Sequence, residues 1–365
     1  MSLDSMKIIK TIRTHSEPVN TLLVCKNGNF VSGSLGRIIF YSKENFEVIL
    51  RITEFKEYYF SHIYELHINN TFLLSYSGFK IIQTTNDNKK YQVLFSFYER
   101  FIMNKAIEYE YKFISEDKKE NIKYNIVISS VYGIHIFEKT EKNNKIEKND
   151  NNDKNNKIDA NHEKNDINQK VKIESDNTDL NYTLVKKINF NEIVYNILQI
   201  SNNCFISTSN SVLASGNNCL RFWSYPEMSN FKTINNLYCS SGVNSVAKVE
   251  NMLLIGLEKI PKYLFRSKII DDKLNINGIA VIDLENYEVV QFIETHNCIR
   301  SLLLAKNNTV IVGSTFNLLQ FKFNRGIMEK IGEKELFNYI NNVIIEVDNN
   351  TFVTGSNDKK IIVIK

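Results

Sequence analysis

Residues 21–34 read Thr-Leu-Leu-Val-Cys-Lys-Asn-Gly-Asn-Phe-Val-Ser-Gly-Ser, and residues 344–356 read Ile-Ile-Glu-Val-Asp-Asn-Asn-Thr-Phe-Val-Thr-Gly-Ser. Each stretch runs from a short apolar segment through an Asn-containing turn into a second apolar segment that ends in small residues. Short apolar runs bounded by turn residues are typical of β-strands. The two stretches therefore predict two copies of one β-hairpin at opposite ends of the 365-residue chain.

Five further copies lie between these two, although only the second strand is recognisable in the third copy. We take the first apolar residue of each second strand as a marker. The seven markers are Phe30, Phe72, Ile126, Phe205, Leu253, Val310 and Phe352. The shortest spacing between markers, 42 residues, matches the ~40–45-residue period of a four-stranded propeller blade. Longer spacings are explained by insertions.

The third residue after each marker is small in every copy, and we expect it to let neighbouring repeats pack closely. These residues are Gly33, Ser75, Ser129, Thr208, Gly256, Gly313 and Gly355. A third strand is predicted after each hairpin, at residues 38–41, 80–83, 134–137, 220–223, 279–284, 318–323 and 361–364. A more polar fourth strand usually follows. The pattern predicts an all-β fold in which residues 1–365 form a single seven-bladed β-propeller with four antiparallel strands per blade.

Three pieces of the repeat resemble the WD-repeat family. The stretch Thr-Gly-Ser-Asn-Asp-Lys-Lys-Ile-Ile-Val-Ile at 354–364 is similar to the link between the family's second and third strands. Val-Ser-Gly-Ser at 31–34 and Leu-Arg-Phe-Trp at 220–223 are similar to other parts of it. The resemblance covers nearly the whole chain outside one insertion. It implies a non-catalytic platform that binds other macromolecules.

The chain also departs from the family pattern. Only the fourth repeat keeps the Trp, at Trp223, and only the seventh clearly keeps the turn Asp, at Asp358. His15 and His296 stand where the family has Gly-His, ahead of a first strand. We expect both rings to make structural hydrogen bonds rather than to act as bases.

The two ends of the chain predict how the ring closes. The seventh blade has no fourth strand of its own, because the chain ends at Lys365 directly after the third strand. Residues 7–12 form an apolar strand that belongs to no repeat. Pairing of this N-terminal strand with the last blade would cover the open strand edges. WD-repeat propellers close in this way.

Two insertions interrupt the blades. Residues 139–181, within blade three, form a low-complexity run of Lys, Asn, Asp and Glu without aromatic residues. Such a segment buries too little apolar surface to order, so we expect it to be disordered. It is either a tolerated spacer or a flexible partner-binding loop.

Residues 258–277 form the second insertion, between the second and third strands of blade five. It mixes basic, aromatic and aliphatic side chains, a composition that can either bind a partner or pin the loop to its own blade. In the WD-repeat family these links lie on the face most used for partners, and blade four has a lengthened link there too, at 210–218. The predicted partner-binding residues are Lys262, Tyr263, Phe265, Arg266, Lys268, Arg221 and Arg300.

Composition narrows the function classes. The formal net charge of +4 is small for a dedicated nucleic-acid binder. The five cysteines are widely spaced and include no Cys-x-x-Cys, so neither a disulfide framework nor a zinc site is expected. No signal peptide and no apolar run of the ~18 residues that cross a bilayer is present. We expect a protein of the cytoplasm or the nucleus.

No phosphate-binding loop and no His-Glu-x-x-His zinc helix occurs, so we expect no catalytic residue, cofactor or metal. The leading hypothesis is a protein-interaction scaffold or adaptor, itself monomeric within a larger complex, that binds other proteins on the face with the blade-four and blade-five loops. The alternative is a ribonucleoprotein or chromatin component that contacts nucleic acid through the same basic residues. Salt dependence separates the two, because phosphate contacts weaken steeply as salt rises.

Overall fold

In the computed structural model the chain folds into seven sheets, each built from four antiparallel strands. The structure describes residues 6–56, 58–98, 102–114, 120–131, 133–140, 181–190, 192–211, 219–235, 245–257, 277–324, 326–335 and 341–365. The predicted all-β, seven-bladed propeller is therefore confirmed. No helix in these ranges is long and apolar enough to cross a membrane.

The strands follow one another in the order that the repeats predict. Blade one contains β2 (Thr21–Val24), β3 (Phe30–Ser34), β4 (Arg37–Tyr41) and β5 (Val48–Ile52). Blade two contains β6 (His62–Glu65), β7 (Thr71–Tyr76), β8 (Gly78–Thr84) and β9 (Tyr91–Tyr98). Blade three contains β10 (Met103–Ile114), β11 (Glu120–Ser130), β12 (Gly133–Thr140) and β13 (Asn181–Asn189). Blade four contains β14 (Glu192–Ser201), β15 (Cys204–Ser211), β16 (Cys219–Ser224) and β17 (Asn230–Asn235).

The remaining blades share this layout. Blade five contains β18 (Val246–Val249), β19 (Met252–Leu257), β20 (Gly278–Asp283) and β21 (Val289–Glu294). Blade six contains β22 (Ile299–Leu304), β23 (Thr309–Ser314), β24 (Asn317–Asn324) and β25 (Ile327–Glu335). Blade seven contains β26 (Asn341–Asp348), β27 (Thr351–Ser356), β28 (Ile361–Ile364) and β1 (Ile8–Ile12).

The marker residues form the core of each blade. All seven are fully buried, and each pairs with an apolar or aromatic residue of the third strand. Phe30 lies opposite Tyr41 and stacks on it with 4.7 Å between ring centroids. Phe205 lies opposite Trp223 in the same register, and the two rings are also stacked. Tyr41 thus occupies in blade one the place that Trp223 holds in blade four.

The small residues after the markers lie where neighbouring blades meet. A Cβ atom on Gly33 would stand 3.1 Å from the side chain of Ile63 in the next blade. A Cβ on Gly256 would stand 2.7 Å from Ile299, and one on Gly355 would stand 2.6 Å from Val19. At these three positions the predicted crowding between blades is confirmed, because a larger side chain would push the next blade outwards.

The hairpin geometry divides the propeller into two faces. In an antiparallel meander, the first and third turns of a blade lie at one end of the strands, and the second turn lies at the other end together with the link to the next blade. We call the face with the first and third turns the lower face and the other the upper face. The two strand ends that flank the blade-five insertion, Leu257 and Gly278, lie on the upper face.

Contacts on the lower face join each blade to its neighbour. The Glu65 carboxylate accepts a hydrogen bond from the backbone N–H of Lys26 at 2.6 Å, across blades one and two. Glu346 accepts the equivalent bond from Lys306 at 2.7 Å, across blades six and seven. Asn70 adopts a left-handed backbone, with φ of 56°, in the first turn of blade two. This confirms the role of Asn in that turn.

The ring closes as the sequence predicts. Strand β1 pairs with β28 in antiparallel register from Ile8–Ile364 to Ile12–Ile361. The backbones of Lys7 and Lys365 add two hydrogen bonds of 2.8 and 3.0 Å. Ile12 is only 6% exposed and belongs to the core between blades seven and one.

The two predicted insertions fall largely outside the described residues. Strand β12 extends to Thr140 and β13 begins at Asn181, so most of the 139–181 segment is not described. The same holds for residues 258–276 of the blade-five insertion, of which residue 277 is described. Both expectations remain predictions.

Closure through β1 predicts that Ile12→Ala destabilises the protein by about 2–4 kcal/mol, because it removes a buried side chain. The matched variant Ile9→Ala, on the same strand but 49% exposed, should change the free energy of unfolding by less than about 0.5 kcal/mol. Deleting residues 1–13 should lower the melting temperature further than either. Thermal unfolding measures all three, and an unchanged melting temperature in the truncated protein would contradict the role of β1 in stability.

Candidate functional site at the mouth of the central channel

A cavity of about 600 Å³ opens on the upper face, where the innermost strands of the blades begin. It is lined by residues of blades one to seven, including residues of every innermost strand, β2, β6, β10, β14, β18, β22 and β26. Ligand sites of this size are common in proteins, and the mouth of a ring of strands is one of the usual places for them. We call this cavity the channel mouth.

The repeat places the lining residues. The residue ten positions before the marker lines the channel mouth in blades one, two, four, six and seven. These residues are Asn20, His62, Tyr195, Arg300 and Asn342. Of these, only Arg300 is among the partner-binding residues predicted from the sequence. The same offset, applied to every repeat, would have found the other four.

The lining is rich in hydrogen-bond donors. Lys105 and Arg300 are its cations, and Asn20, Asn104, Asn196, Asn342 and Asn357 supply amides. No Asp or Glu is among the residues that line the cavity in the described part of the chain. The channel mouth is therefore electropositive, although the whole chain is nearly neutral.

Two titratable groups of the mouth are strongly influenced by burial. Burial lowers the pKa of Lys105 to about 8, and its Nζ donates to Oδ1 of Asn196 at 3.1 Å. Burial, with the charge of Lys105, lowers the pKa of His62 to about 3. The Nδ1 of His62 accepts a hydrogen bond from the backbone N–H of Ala106 at 3.3 Å, which leaves the ring proton on Nε2.

Exposed apolar side chains surround one side of the mouth. Tyr59 is 51% exposed and Ile102 is 48% exposed, and both line the cavity. Leu35, also exposed, pairs with Tyr59 through an isolated β-bridge between blades one and two. Aromatic and aliphatic residues beside a polar cleft are typical of protein-binding surfaces.

The predicted site residues are only partly described. Lys262, Tyr263, Phe265, Arg266 and Lys268 lie outside the described residues, so their proposed role stays a prediction. Arg300 lies in the channel mouth. Arg221 lies in β16 of blade four, away from the residues that line that cavity. The structure therefore does not bring Arg221 and Arg300 into one cleft.

Arg221 is held by partners within its own blade. Its guanidinium forms an ion pair with Glu192 at 2.8 Å, donates to Oγ of Ser209 at 2.7 Å and lies over the ring of Phe190. The side chains of Arg221 and Glu192 are 14% and 19% exposed. Burial raises the pKa of Glu192, but hydrogen bonds from Ser209 and Arg221 outweigh burial and lower it overall.

The position of Arg221 recurs in two other blades. Lys80, His135 and Arg221 each pair with the residue two after the marker, and all three are largely buried. Lys80 donates to Ser96 and Tyr98 at 3.0 Å each and lies near aromatic rings rather than near a described carboxylate. These three basic side chains thus lie inside blades two to four, near the upper ends of the third strands.

The two histidines of the family motif differ. His15 is buried and hydrogen-bonds through Nδ1 to Ser34 at 2.7 Å and through Nε2 to Ser32 at 2.6 Å. The expected structural role is therefore confirmed for His15. For His296 it stays a prediction: the ring is exposed and has no hydrogen bond among the described residues, and its backbone carbonyl accepts one from Asn277. Blade six offers no Ser pair like that of blade one.

Asp358, the family's turn Asp, organises the upper turn of blade seven. It accepts hydrogen bonds from the Ser356 hydroxyl and from Nζ of Lys360, the latter at 2.7 Å. Trp223 donates its indole N–H to Ser207 at 2.9 Å. No group of three or more potential metal ligands occurs within the described ranges.

Comparison with known proteins agrees with this architecture. Residues 6–42 match the family model of the WD domain, G-beta repeat. A chain in a crystal structure of a mitotic checkpoint complex is similar over 98% of this chain and 93% of its own length, with a TM-score of 0.64 and 9% sequence identity. No curated protein sequence matches significantly.

The described strands form a closed seven-bladed β-propeller, and residues 6–42 of it match the WD40 repeat. Propellers of this kind typically serve as protein-interaction scaffolds and are generally non-catalytic. The likeness to the checkpoint-complex chain, at 9% identity, extends to the fold alone.

The buried histidines predict a loss of stability in mild acid. Burial, together with Arg37 and Arg51, lowers the pKa of His15 from 6.5 to about 4. The unfolded chain therefore binds a proton first as the pH falls, so the contribution of His15 is complete above pH 6.5 and is lost between pH 6.5 and 4. The loss is up to about 3 kcal/mol.

Urea unfolding across this pH range tests the prediction. His15→Gln should be less stable than the wild type at pH 7 but should lose less stability on acidification. The exposed His296→Gln variant is the matched control and should follow the wild-type curve. Equal pH slopes for His15→Gln and the wild type would show that His15 does not contribute to acid sensitivity.

The Arg221–Glu192 pair predicts a coupled effect on stability. Arg221→Met and Glu192→Gln should each destabilise the protein, because each leaves a partly buried charge without its partner. Their effects should be non-additive, with a coupling free energy of about 1–2 kcal/mol in a double-mutant cycle. Additive losses would mean that the two side chains do not act as a pair, and Arg221 would then be available to a partner.

Proposed function

We propose that this propeller is a non-catalytic scaffold or adaptor that binds a partner protein on its upper face, across the channel mouth. The observation that carries the proposal is the channel mouth itself, a donor-rich cavity bordered by exposed Leu35, Tyr59 and Ile102. An apolar border beside buried polar groups supports protein binding, because apolar anchors contribute affinity and polar groups contribute specificity.

The blade-five loop is part of the same proposal. Its strand ends, Leu257 in β19 and Gly278 in β20, lie on the upper face, so the loop begins and ends on the face that carries the channel mouth. We propose that Lys262, Tyr263, Phe265, Arg266 and Lys268 extend the binding surface. Arg300 contributes from the cavity. Arg221 contributes through the shape of blade four, since its guanidinium already has intramolecular partners.

The experiment is affinity purification of the full-length protein with quantitative mass spectrometry of the proteins that accompany it. The test variant is Tyr59→Ala with Arg300→Ala, which removes one aromatic and one cationic side chain from the mouth. The matched control is Ile327→Ala with Lys89→Ala, which removes an apolar and a cationic side chain from exposed positions on the lower face. A third sample carries Tyr263→Ala with Arg266→Ala in the blade-five loop.

We expect the mouth variant to lose a defined set of proteins, by about tenfold or more, that the lower-face control retains. Loss of the same set from the loop variant would extend the surface to blade five. Retention of all partners by both upper-face variants would contradict binding at this face. If RNA and its binding proteins dominate the wild-type sample and disappear at high salt, nucleic-acid binding replaces the scaffold proposal.

A further inference from the structure

The side-chain amide of Asn196 lines the channel mouth and is only partly hydrogen-bonded within the described residues. The side chain is buried, with 2% of its surface exposed, and its Oδ1 accepts from Lys105. Because an ammonium group can only donate, this contact assigns Oδ1 to the lysine and leaves Nδ2 on the other side. Nδ2 is buried without a hydrogen-bond partner among the described residues. A buried donor left unpaired is costly and is uncommon in native proteins.

Lys105 is also incompletely paired, and its ammonium group carries a full positive charge. No described carboxylate pairs with its ammonium group, and burial alone lowers its pKa. The neutral amide of Asn196 is its one described side-chain partner. A buried cation without an anion is destabilising, and folded proteins normally pair such groups.

Other groups around the mouth are also donors. Nδ2 of Asn20, on the opposite side of the ring in blade one, is buried without a partner in the described ranges. Neutral His62 carries its proton on Nε2, because Nδ1 accepts from the backbone. Arg300 adds a second cation to the lining. The channel mouth therefore offers several donors and no described anionic acceptor.

We propose that the channel mouth receives a carboxylate side chain, Asp or Glu, from the partner protein. The inference rests on the proposed function and specifies its chemistry. A carboxylate accepts several hydrogen bonds at once and would complement the charge of Lys105. Residues flanking it in the partner would contact the apolar border formed by Leu35, Tyr59 and Ile102.

The same geometry disfavours a basic partner segment. A lysine or arginine side chain in the mouth would lie close to Lys105 in a poorly hydrated cavity, where like charges repel strongly. An uncharged segment would satisfy some amides but would leave Lys105 without a counter-charge. The carboxylate is thus the group whose removal from the partner should weaken binding most.

The test measures fluorescence anisotropy with fluorescein-labelled heptapeptide mixtures added to the purified full-length protein. The central residue is Glu, Gln or Lys, and the flanking positions are mixtures of uncharged residues that include Leu and Tyr. We expect the Glu-centred mixture to bind about tenfold more tightly than the Gln-centred mixture, because a charged hydrogen bond is lost in the latter. The Lys-centred mixture should bind most weakly.

Substitutions of residues that line the channel mouth test whether the preference for the Glu-centred mixture arises there. Lys105→Met and Asn196→Leu should abolish the preference for Glu over Gln, whereas Lys105→Arg should retain most of it. Lys89→Met, a lysine substitution on the lower face, is the matched control and should behave as the wild type. Circular dichroism and thermal unfolding check that each variant is folded. Because Lys105→Met removes a buried charge, it should not lower the melting temperature.

Three results would overturn the inference. These are equal binding of the Glu- and Gln-centred mixtures, an unchanged preference in folded Lys105→Met, and displacement of the peptides by micromolar inorganic phosphate. The last would indicate a site for a small free oxyanion. If partner recovery depends on Tyr59 and Arg300 but no Glu preference exists, the scaffold proposal stands and only the carboxylate inference fails.

Discussion

The close approach of neighbouring blades is the constraint on which this structure depends. Seven twisted sheets must meet along seven seams, and at three of them a Cβ atom on a glycine would stand 2.6–3.1 Å from a side chain of the next blade. Gly355 contacts Val19 across the seam between the last blade and the first. Because that seam joins the two ends of the chain, the tight fit and the β1–β28 pairing support each other.

Closure of the ring brings together residues that are far apart in sequence. Asn20 and Asn342 line the same cavity although they belong to the first and last repeats. Lys105 and Asn196 meet across the seam between blades three and four. Each residue lies within or directly before the innermost strand of its blade, so the closed ring arranges them as a circle of side chains. The electropositive mouth is a product of that symmetry combined with the particular residue in each repeat.

The basic residues of this protein serve different physical roles. Lys80, His135 and Arg221 occupy one repeated position, and all three are buried within their blades. Arg221 is neutralised by Glu192, whereas Lys80 lies among hydroxyl groups and aromatic rings. Lys105 faces the channel. A count of charges therefore says little about the surface of the propeller, because pairing and burial decide which cations a partner can meet.

Much of the fold follows from the sequence because one pattern recurs. The predicted third strands agree with the observed ones to within three residues at each end, since the alternation of apolar residues and turns is local. The first strand of blade three, expected near residues 106–113, lacked the pattern of the other repeats, because β10 and β11 pair as far as Ile114 and Glu120, well beyond the marker Ile126. Trp223 was recognised, but its counterpart Tyr41 was not, since the stacking on Phe30 depends on strand register.

The sequence by itself determined the number of blades, their strands, the small residues at the seams and the closing strand, because these depend on local pattern and on repetition. It identified Arg300 as a residue at the start of an innermost strand, and His15 as a structural histidine. Only the tertiary structure decided that Arg221 is held by Glu192, and that Lys105, Asn196 and Asn20 share a cavity without a described carboxylate. These outcomes depend on contacts between residues distant in sequence, which no local pattern encodes.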